Sequence, residues 1–394
     1  MVIIVTMQDV SGLPESYAQW VARAIRRARL AGSDVVTLFD SSVPEPRELI
    51  AEVVAQGFAS GITSRYVTTF GGGNRFVLDA LATRYAVPRE QLLCTTGATG
   101  AVATVLHTLI APGDEVLVET PGFDLFTALA EDAGAIVRPI ARPAPLFALD
   151  TDEIARAIGP KTRAILLSNL HNPSGMPIAH DALLRLAAIA EARGVTVVID
   201  EVYGDYADAA TRPAPACSLS PHFVSISSMT KIWGLSTLRC GWIVAARPLM
   251  DRIRDRFERL EFGLSNLSHA VAALVLEQRE RFDDYTQATL REARPLMESC
   301  FDRWRADGLI EGVLPDFGCI FFPKLIGIDD TAHFSDWLAE RSGVVVAPGV
   351  FFGAADHIRI GHAQRIGDLE RGFVALGEGM RAYRDQRSRV RKAG

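Results

Sequence analysis

Lysine is nearly missing from this sequence. Its 394 residues hold 41 lysines and arginines together, yet only Lys161, Lys231, Lys324 and Lys392 are lysines. Any amine chemistry has four side chains to draw on. Cysteine is sparse as well. Cys94, Cys217, Cys240, Cys300 and Cys319 are scattered, odd in number and without a Cys-x-x-Cys pair, which argues against a disulfide framework or a structural zinc site. No apolar run approaches the roughly 20 residues of a membrane-spanning helix. The opening Met1–Thr6 stretch is apolar, but too short for a signal segment and without a basic flank. Excess positive charge is also lacking. The net charge of −6 offers no electrostatic basis for binding nucleic acid. These absences lead to an expectation of a cytoplasmic protein with no nucleic-acid or membrane partner.

What remains is ordinary globular material, 48% hydrophobic and 22% charged, long enough for two or three packed units. Short β-branched runs recur at 91–95, 115–119, 135–139, 164–168, 196–200, 223–227 and 240–245. Helical patterns separate several of them. In 181–193, for example, Leu183, Leu186, Ala187 and Ala190 share one face. Such alternation predicts a mainly parallel sheet covered by helices on both sides. The connection from 227 to 240 is too short for a long helix, so one antiparallel strand is expected there. The pattern from 250 to 287 is helical, and a separate α+β unit follows. A helix over 15–30 near the start is expected to pack on that unit. The basic tail from Arg381 reads as a solvated, frayed helix.

Four segments carry chemistry. The first, Thr95-Thr96-Gly97-Ala98-Thr99-Gly100-Ala101, follows a strand and opens a helix predicted over 101–110. Its small residues let backbone N–H groups converge on an anion at the helix's positive end. Such a turn holds a phosphate, belongs to a dinucleotide-binding dehydrogenase, or is a tight connection with no ligand. The second, Thr196-Val-Val-Ile-Asp200-Glu201-Val-Tyr203, ends a buried strand in a carboxylate at the sheet edge where ligands bind. That carboxylate is costly without a cationic partner. In the third, Lys231 follows Ser227-Ser228-Met229-Thr230, with Arg239 eight residues on. A desolvated amine there becomes nucleophilic, and the guanidinium can clamp a phosphate. The bland alternative is a surface lysine. The fourth, Ser168-Asn-Leu-His171-Asn172-Pro-Ser-Gly175, is a turn whose Asn172 amide can bond a phenolate or a carboxylate.

In order and spacing these segments resemble fold-type I pyridoxal 5′-phosphate (PLP) enzymes, specifically the class I/II aminotransferases, from about Ser41 to Ala363. The resemblance implies an α/β large domain over residues 46–285, with a mostly parallel seven-stranded sheet. A smaller α+β domain would be formed by 1–45 with 286–394. It implies that Lys231 joins the cofactor as a Schiff base and shuttles the substrate proton, and that Asp200 pairs with the pyridine nitrogen. Tyr203 and Asn172 would bond the ring hydroxyl. Ala98, Thr99, Ser228 and Arg239 would hold the phosphate, with help from Thr230, and Phe123 would stack on the ring. Tyr66 is the candidate to reach a neighbouring subunit's phosphate. A later segment, Ala347-Pro-Gly349 with Gly353 and Ile358-Arg359-Ile360, places Arg359 on the substrate α-carboxylate, beside Asn172.

The implied reaction is ping-pong transfer of an amino group between an L-amino acid and a 2-oxo acid in a homodimer. A PLP-dependent lyase or decarboxylase uses the same residues and stays open at this point. A dehydrogenase is weaker, since no Tyr-xxx-Lys pair is present. A PLP-sensing regulator is weaker too, since the segment before residue 46 is short and not basic. The sequence departs from the family pattern at Gly71-Gly72-Gly73, at Leu170-His171, and in 39–46, which lacks Gly-x-Pro. In the family that last segment covers the substrate.

Overall fold

The computed structural model describes residues 15–393 apart from 31, 33, 208–211 and 213, with side chains to residue 387. The Met1–Thr6 stretch lies outside the described residues. The described chain opens with α1 (Tyr17–Leu30), β1 (Val36–Thr37), α2 (Arg47–Gly57) and α3 (Arg75–Tyr85). An alternating run follows: β2 (Leu92–Thr96), α4 (Gly97–Leu109), β3 (Glu115–Thr120), α5 (Asp124–Asp132), β4 (Ile136–Ala141), α6 (Thr151–Ala157), β5 (Thr162–Ser168), α7 (His180–Arg193) and β6 (Thr196–Asp200). Then come β7 (Phe223–Ser228), the short α8 (Met229–Ile232) and β8 (Cys240–Val244).

These seven strands form one sheet in the order β2-β8-β7-β6-β5-β3-β4. Strand β8 runs antiparallel to both β2 and β7, and every other pairing is parallel. This is the sheet expected from the alternation. Its single reversed strand follows the connection that had no room for a crossover helix. Side chains alternate between two cores. Leu166 and Val198 face one cluster, with Val102 and Trp242. Ile165, Leu167, Val197 and Ile199 face the other, with Leu186. Both faces are covered, so β5 and β6 read as continuous apolar runs. Helix α7 buries all four residues expected on its inner face, and ends on Gly194 at φ 64°, a left-handed stop that glycine adopts without strain.

Helix α4 starts at Gly97, four residues earlier than expected, so the small-residue turn is itself the first helical turn. The stretch read as helical over 250–287 is three helices: α9 (Arg247–Leu260), α10 (Asn266–Glu277) and α11 (Arg279–Ala306). The expected boundary between 285 and 286 falls inside α11.

The remaining elements are β9 (Ile310–Glu311), β10 (Ile320–Phe321), β11 (Lys324–Leu325), α12 (Thr331–Ser342), β12 (Val344–Val345), β13 (Ala347–Pro348), β14 (Ile358–Gly361) and α13 (Ile366–Ala393). They share a third core in which Val36, Met297, Phe334, Ile360 and Phe373 meet. The N-terminal segment joins this part of the molecule. Strand β1 pairs with β12, and Arg23 and Arg27 of α1 each reach Asp336 of α12 at 2.8 Å. Among the described residues, no helix is long and apolar enough to cross a membrane. Nor does any cluster of histidine, cysteine and acidic residues there suit a metal ion.

Candidate active site

Strand register assembles the site. Ser168 on β5 pairs with Asp200 on β6, which pairs with Ile226 on β7. Three parallel strands therefore end together, at the edge where open α/β sheets bind ligands. Beyond β7, α8 carries Lys231. Strand β8 then returns with Cys240 opposite Thr96, which brings Arg239 to the N-terminus of α4. A cavity of about 490 Å³ opens there, closed from above by residues of the N-terminal segment and β14.

Lys231 lines the cavity. Its Nζ donates to Ser41 Oγ at 2.9 Å and lies 5.9 Å from the centre of the Tyr203 ring. Burial, reinforced by the Arg359 charge, brings the amine down to about 8, against the opposing pull of Asp40 and Asp200. Asp200 is the counterpart. Burial pushes its carboxyl up to about 7, while the Val202 amide, donating to Oδ1 at 3.1 Å, and the Lys231 charge pull it back. Asp200 has no ion-pair partner within 4.0 Å among the described residues. A desolvated carboxylate in that state favours an added cation.

The other end of the cavity suits an anion. Gly97 takes φ 75°, and a Cβ there would stand 2.8 Å from Arg239 Nη2. A Cβ on Gly241 would stand 2.4 Å from the Gly97 carbonyl carbon. Only glycines let the α4 N-terminus, β8 and the guanidinium approach so closely. Ala98, Thr99, Ser228 and Arg239 line this end, where the first N–H groups of α4 have no intrahelical acceptor.

Arg359, on β14, is 2% exposed. Its Nη1 donates to Asn172 Oδ1 at 2.8 Å, and its Nη2 donates to Tyr17 Oη at 2.7 Å and to the Phe39 carbonyl at 3.0 Å. Its Nε is buried without a partner. Asn172 is held in turn. Its backbone N–H donates to Ser168 Oγ at 2.9 Å, and the Ser168 N–H donates to Glu119 Oε1 at 2.7 Å. Glu119 Oε2 accepts from Arg142 Nη1 at 2.7 Å, and neither side chain of that pair is exposed. His171 is also buried. Its Nε2 faces the Pro121 carbonyl at 2.8 Å and must donate, so Nδ1 accepts from Ser174 Oγ at 2.7 Å. Burial drives this imidazole well below its ordinary range and keeps it neutral.

Ten of the eleven residues named from the sequence line this one cavity, and Thr230 does too. Tyr66 does not. It is 43% exposed and does not line the cavity. Sequence reading missed Tyr17, Asp40 and Ser41, which also line it. Tyr17 opens an amphipathic helix with no motif around it, so nothing local marks it. Ser41 stands at the first residue of the resemblance, in the segment whose departure from the family pattern hid its register.

Residues 49–370 match the model of a family described as aminotransferase class I and II. The capreomycidine synthase of Streptomyces vinaceus is 32% identical over 298 residues, covering 74% of this chain and 75% of that protein. The arginine–pyruvate transaminase of Pseudomonas aeruginosa is 29% identical over 303 residues, covering 73% and 76%. Among solved structures, a PLP-dependent aminotransferase from Streptococcus suis 89-1591 superposes with a TM-score of 0.83. It does so at 22% identity and covers 94% of this chain and 98% of that one.

Proposed function

The chain belongs to the class I and II aminotransferase family and is a PLP-dependent aminotransferase of the fold-type I architecture, and from that premise we propose that Lys231 is the amine that holds the cofactor and moves the substrate proton. One observation carries the reading. A carboxylate with no cation of its own, Asp200, shares a cavity with a desolvated lysine and a helix N-terminus built for an anion.

The residues fit the cofactor the family implies. Asp200 would take the ring nitrogen as its missing cation, which returns its carboxyl to the ionised state. The Asn172 Oδ1 is already engaged by Arg359, so its Nδ2 is left to donate to the ring hydroxyl oxygen beside Tyr203. Ala98 and Thr99 would meet the phosphate with backbone N–H groups, Ser228 with its hydroxyl and Arg239 with its fork. Phe123 would cover the ring face. When bound, PLP supplies an electron sink for the charge left as a substrate α-proton departs.

The chain does the rest. Arg359 orients the α-carboxylate of the amino acid, and of the 2-oxo acid that follows it, with a planar fork held by three acceptors. With its amine lowered to about 8, Lys231 gives up its proton far more readily than an exposed lysine near neutral pH, so Nζ can take the α-proton and give it back. Tyr17 and Phe39 close the cavity and exclude water around that transfer.

Two further features belong to the proposal. Residues 46–285 form the large cofactor-binding part, and 1–45 with 286–394 form the smaller part that brings Arg359 and Tyr17 over it. Two copies of the chain pair through the loop that carries Tyr66. Thr69 Oγ1 on that loop donates to the Leu264 carbonyl at 2.8 Å. Nearby, the Phe70 and Phe262 rings meet at 5.0 Å while remaining 60% and 88% exposed. Such a pair on a free surface is what a partner would cover, and Tyr66 would then reach the neighbour's phosphate.

Borohydride reduction of PLP-loaded protein, followed by peptide mass analysis, tests the central claim. The expected label sits on Lys231 and is lost in Lys231→Ala together with turnover. A label elsewhere, or none, overturns the assignment. An amino-donor panel with 2-oxoglutarate then compares amino transfer with release of ammonia or CO2. Release that outpaces transfer makes the enzyme a lyase or decarboxylase.

A further inference from the structure

One charged side chain of the cavity has no part in holding the cofactor or the α-carboxylate. Five of the cavity's lining residues are charged: Asp40, Asp200, Lys231, Arg239 and Arg359. The proposed function uses four of them. Asp40 is left over.

Its position is well defined. Asp40 lies between Phe39, whose carbonyl accepts from Arg359, and Ser41, whose hydroxyl accepts from Lys231. Its backbone is pinned against β14, since a Cβ on Gly361 would come within 1.7 Å of the Asp40 carbonyl. Thr37 Oγ1 donates to Asp40 Oδ2 at 2.5 Å, and no cation stands within 4.0 Å of the carboxylate among the described residues. A second unpaired carboxylate, Asp124, stands nearby and accepts from the Tyr17 N–H at 3.3 Å. The wall beside them is apolar: Ala18 and Val21 of α1 face the cavity with Leu125 and Leu129 of α5. Arg359 lines the same space. The cavity thus offers an anchor for one carboxylate, an aliphatic wall, and a carboxylate of its own, Asp40, that feels the Lys231 and Arg359 charges but forms no ion pair among the described residues.

We propose that Asp40 reads the substrate side chain and selects amino acids with a cationic end, a guanidinium or an ammonium, on an aliphatic stem. The inference rests on the assignment of the cofactor to Lys231 and of the α-carboxylate to Arg359. An acidic side chain would face Asp40 as a like charge, and the cavity has no arginine left to receive it. A neutral side chain would leave the carboxylate desolvated and unpaired, which a cation relieves.

Arginine and citrulline test this directly, because they match in shape and differ in charge. Calorimetric titration of PLP-loaded Lys231→Ala protein measures binding without turnover. The transfer assay on Lys231 protein, with lysine and leucine added to the panel, measures selection. Arginine is expected to bind about ten- to a hundredfold tighter than citrulline, the range of one charge-assisted contact. That ratio should fall towards one in Asp40→Asn and be largely kept in Asp40→Glu. A ratio near one without any change at Asp40, or one that survives Asp40→Asn, overturns the proposal. Loss of the ratio in Asp124→Asn instead of Asp40→Asn overturns it as well. If the ratio behaves as expected while no donor transfers its amino group, the side-chain subsite stands and the aminotransferase assignment falls.

Discussion

Arg359 and Asn172 stand 187 residues apart in sequence and meet at 2.8 Å, Nη1 to Oδ1, in the interior of the protein. One brings the smaller part of the molecule, the other the C-terminal edge of the sheet. In the proposed function their contact would set the distance between the carboxylate anchor and the ring site. Arg359→Lys keeps the charge but loses the planar fork, and leaves some of the Asn172, Tyr17 and Phe39 oxygens without a donor. We expect kcat/KM to fall by roughly 30- to 150-fold, about 2–3 kcal/mol, mostly through KM. Steady-state kinetics with a single amino donor checks this. A loss confined to kcat would place the guanidinium in the chemical step instead.

Asp200 couples function to stability. Burial raises its folded-state carboxyl to about 7, above the roughly 4 of an unfolded chain. The folded, cofactor-free protein therefore binds the extra proton between those values. Its contribution to stability is complete below about pH 4 and is lost as pH rises through 7. Asp200→Asn should remove that loss and stabilise the cofactor-free protein at pH 8 by on the order of 3 kcal/mol, while abolishing transfer. Urea unfolding at pH 5 and pH 8 measures the difference. Equal slopes with pH in both proteins would mean that water reaches the carboxylate.

The parts of this design that were legible in the sequence are those with a local cause. Strands β5 and β6 announce themselves because burial on both faces demands unbroken apolar runs. Asp200 stands out as a charge at the end of one, and Lys231 because so few lysines compete with it. Asp40 and Tyr17 were not legible, since what brings them to the cavity is contact with distant residues: Tyr17 meets Arg359 342 positions away. The break between α9 and α10 had a local signal that periodicity overlooks. Ser265 caps α10 by accepting from the Ser268 N–H at 3.2 Å, a helix start written in a hydroxyl rather than in an apolar stripe.

Behind Asn172, the Glu119–Arg142 pair is buried on all sides and joined to the site through Ser168. Removing one partner leaves the other charged and dry, which costs about 3–5 kcal/mol. Glu119→Gln and Arg142→Met should each destabilise by that order. The double variant should recover part of the loss, since no lone charge remains. Chemical denaturation of the three variants gives the coupling directly. Additive losses would show that the two side chains do not act as a pair.

The exposed Phe262 offers a test of whether the site is complete in one chain. It is 88% exposed and leans on Phe70, beside the loop that carries Tyr66. Covering a phenylalanine fully is worth about 1.5–3 kcal/mol, so a second copy docked on this pair gains several kcal/mol from two rings counted on each side. A carboxylate at the same place would have to be buried unpaired. Phe262→Asp should therefore shift the protein from dimer to monomer at micromolar concentration, read by light scattering. If Tyr66 reaches across to the neighbour's phosphate, the monomer should also release PLP faster, in step with dissociation, although residue 262 lies outside the cavity. A monomeric variant that retains PLP as tightly as the dimer would show that each chain closes its own phosphate site, and would remove Tyr66 from the cofactor contacts.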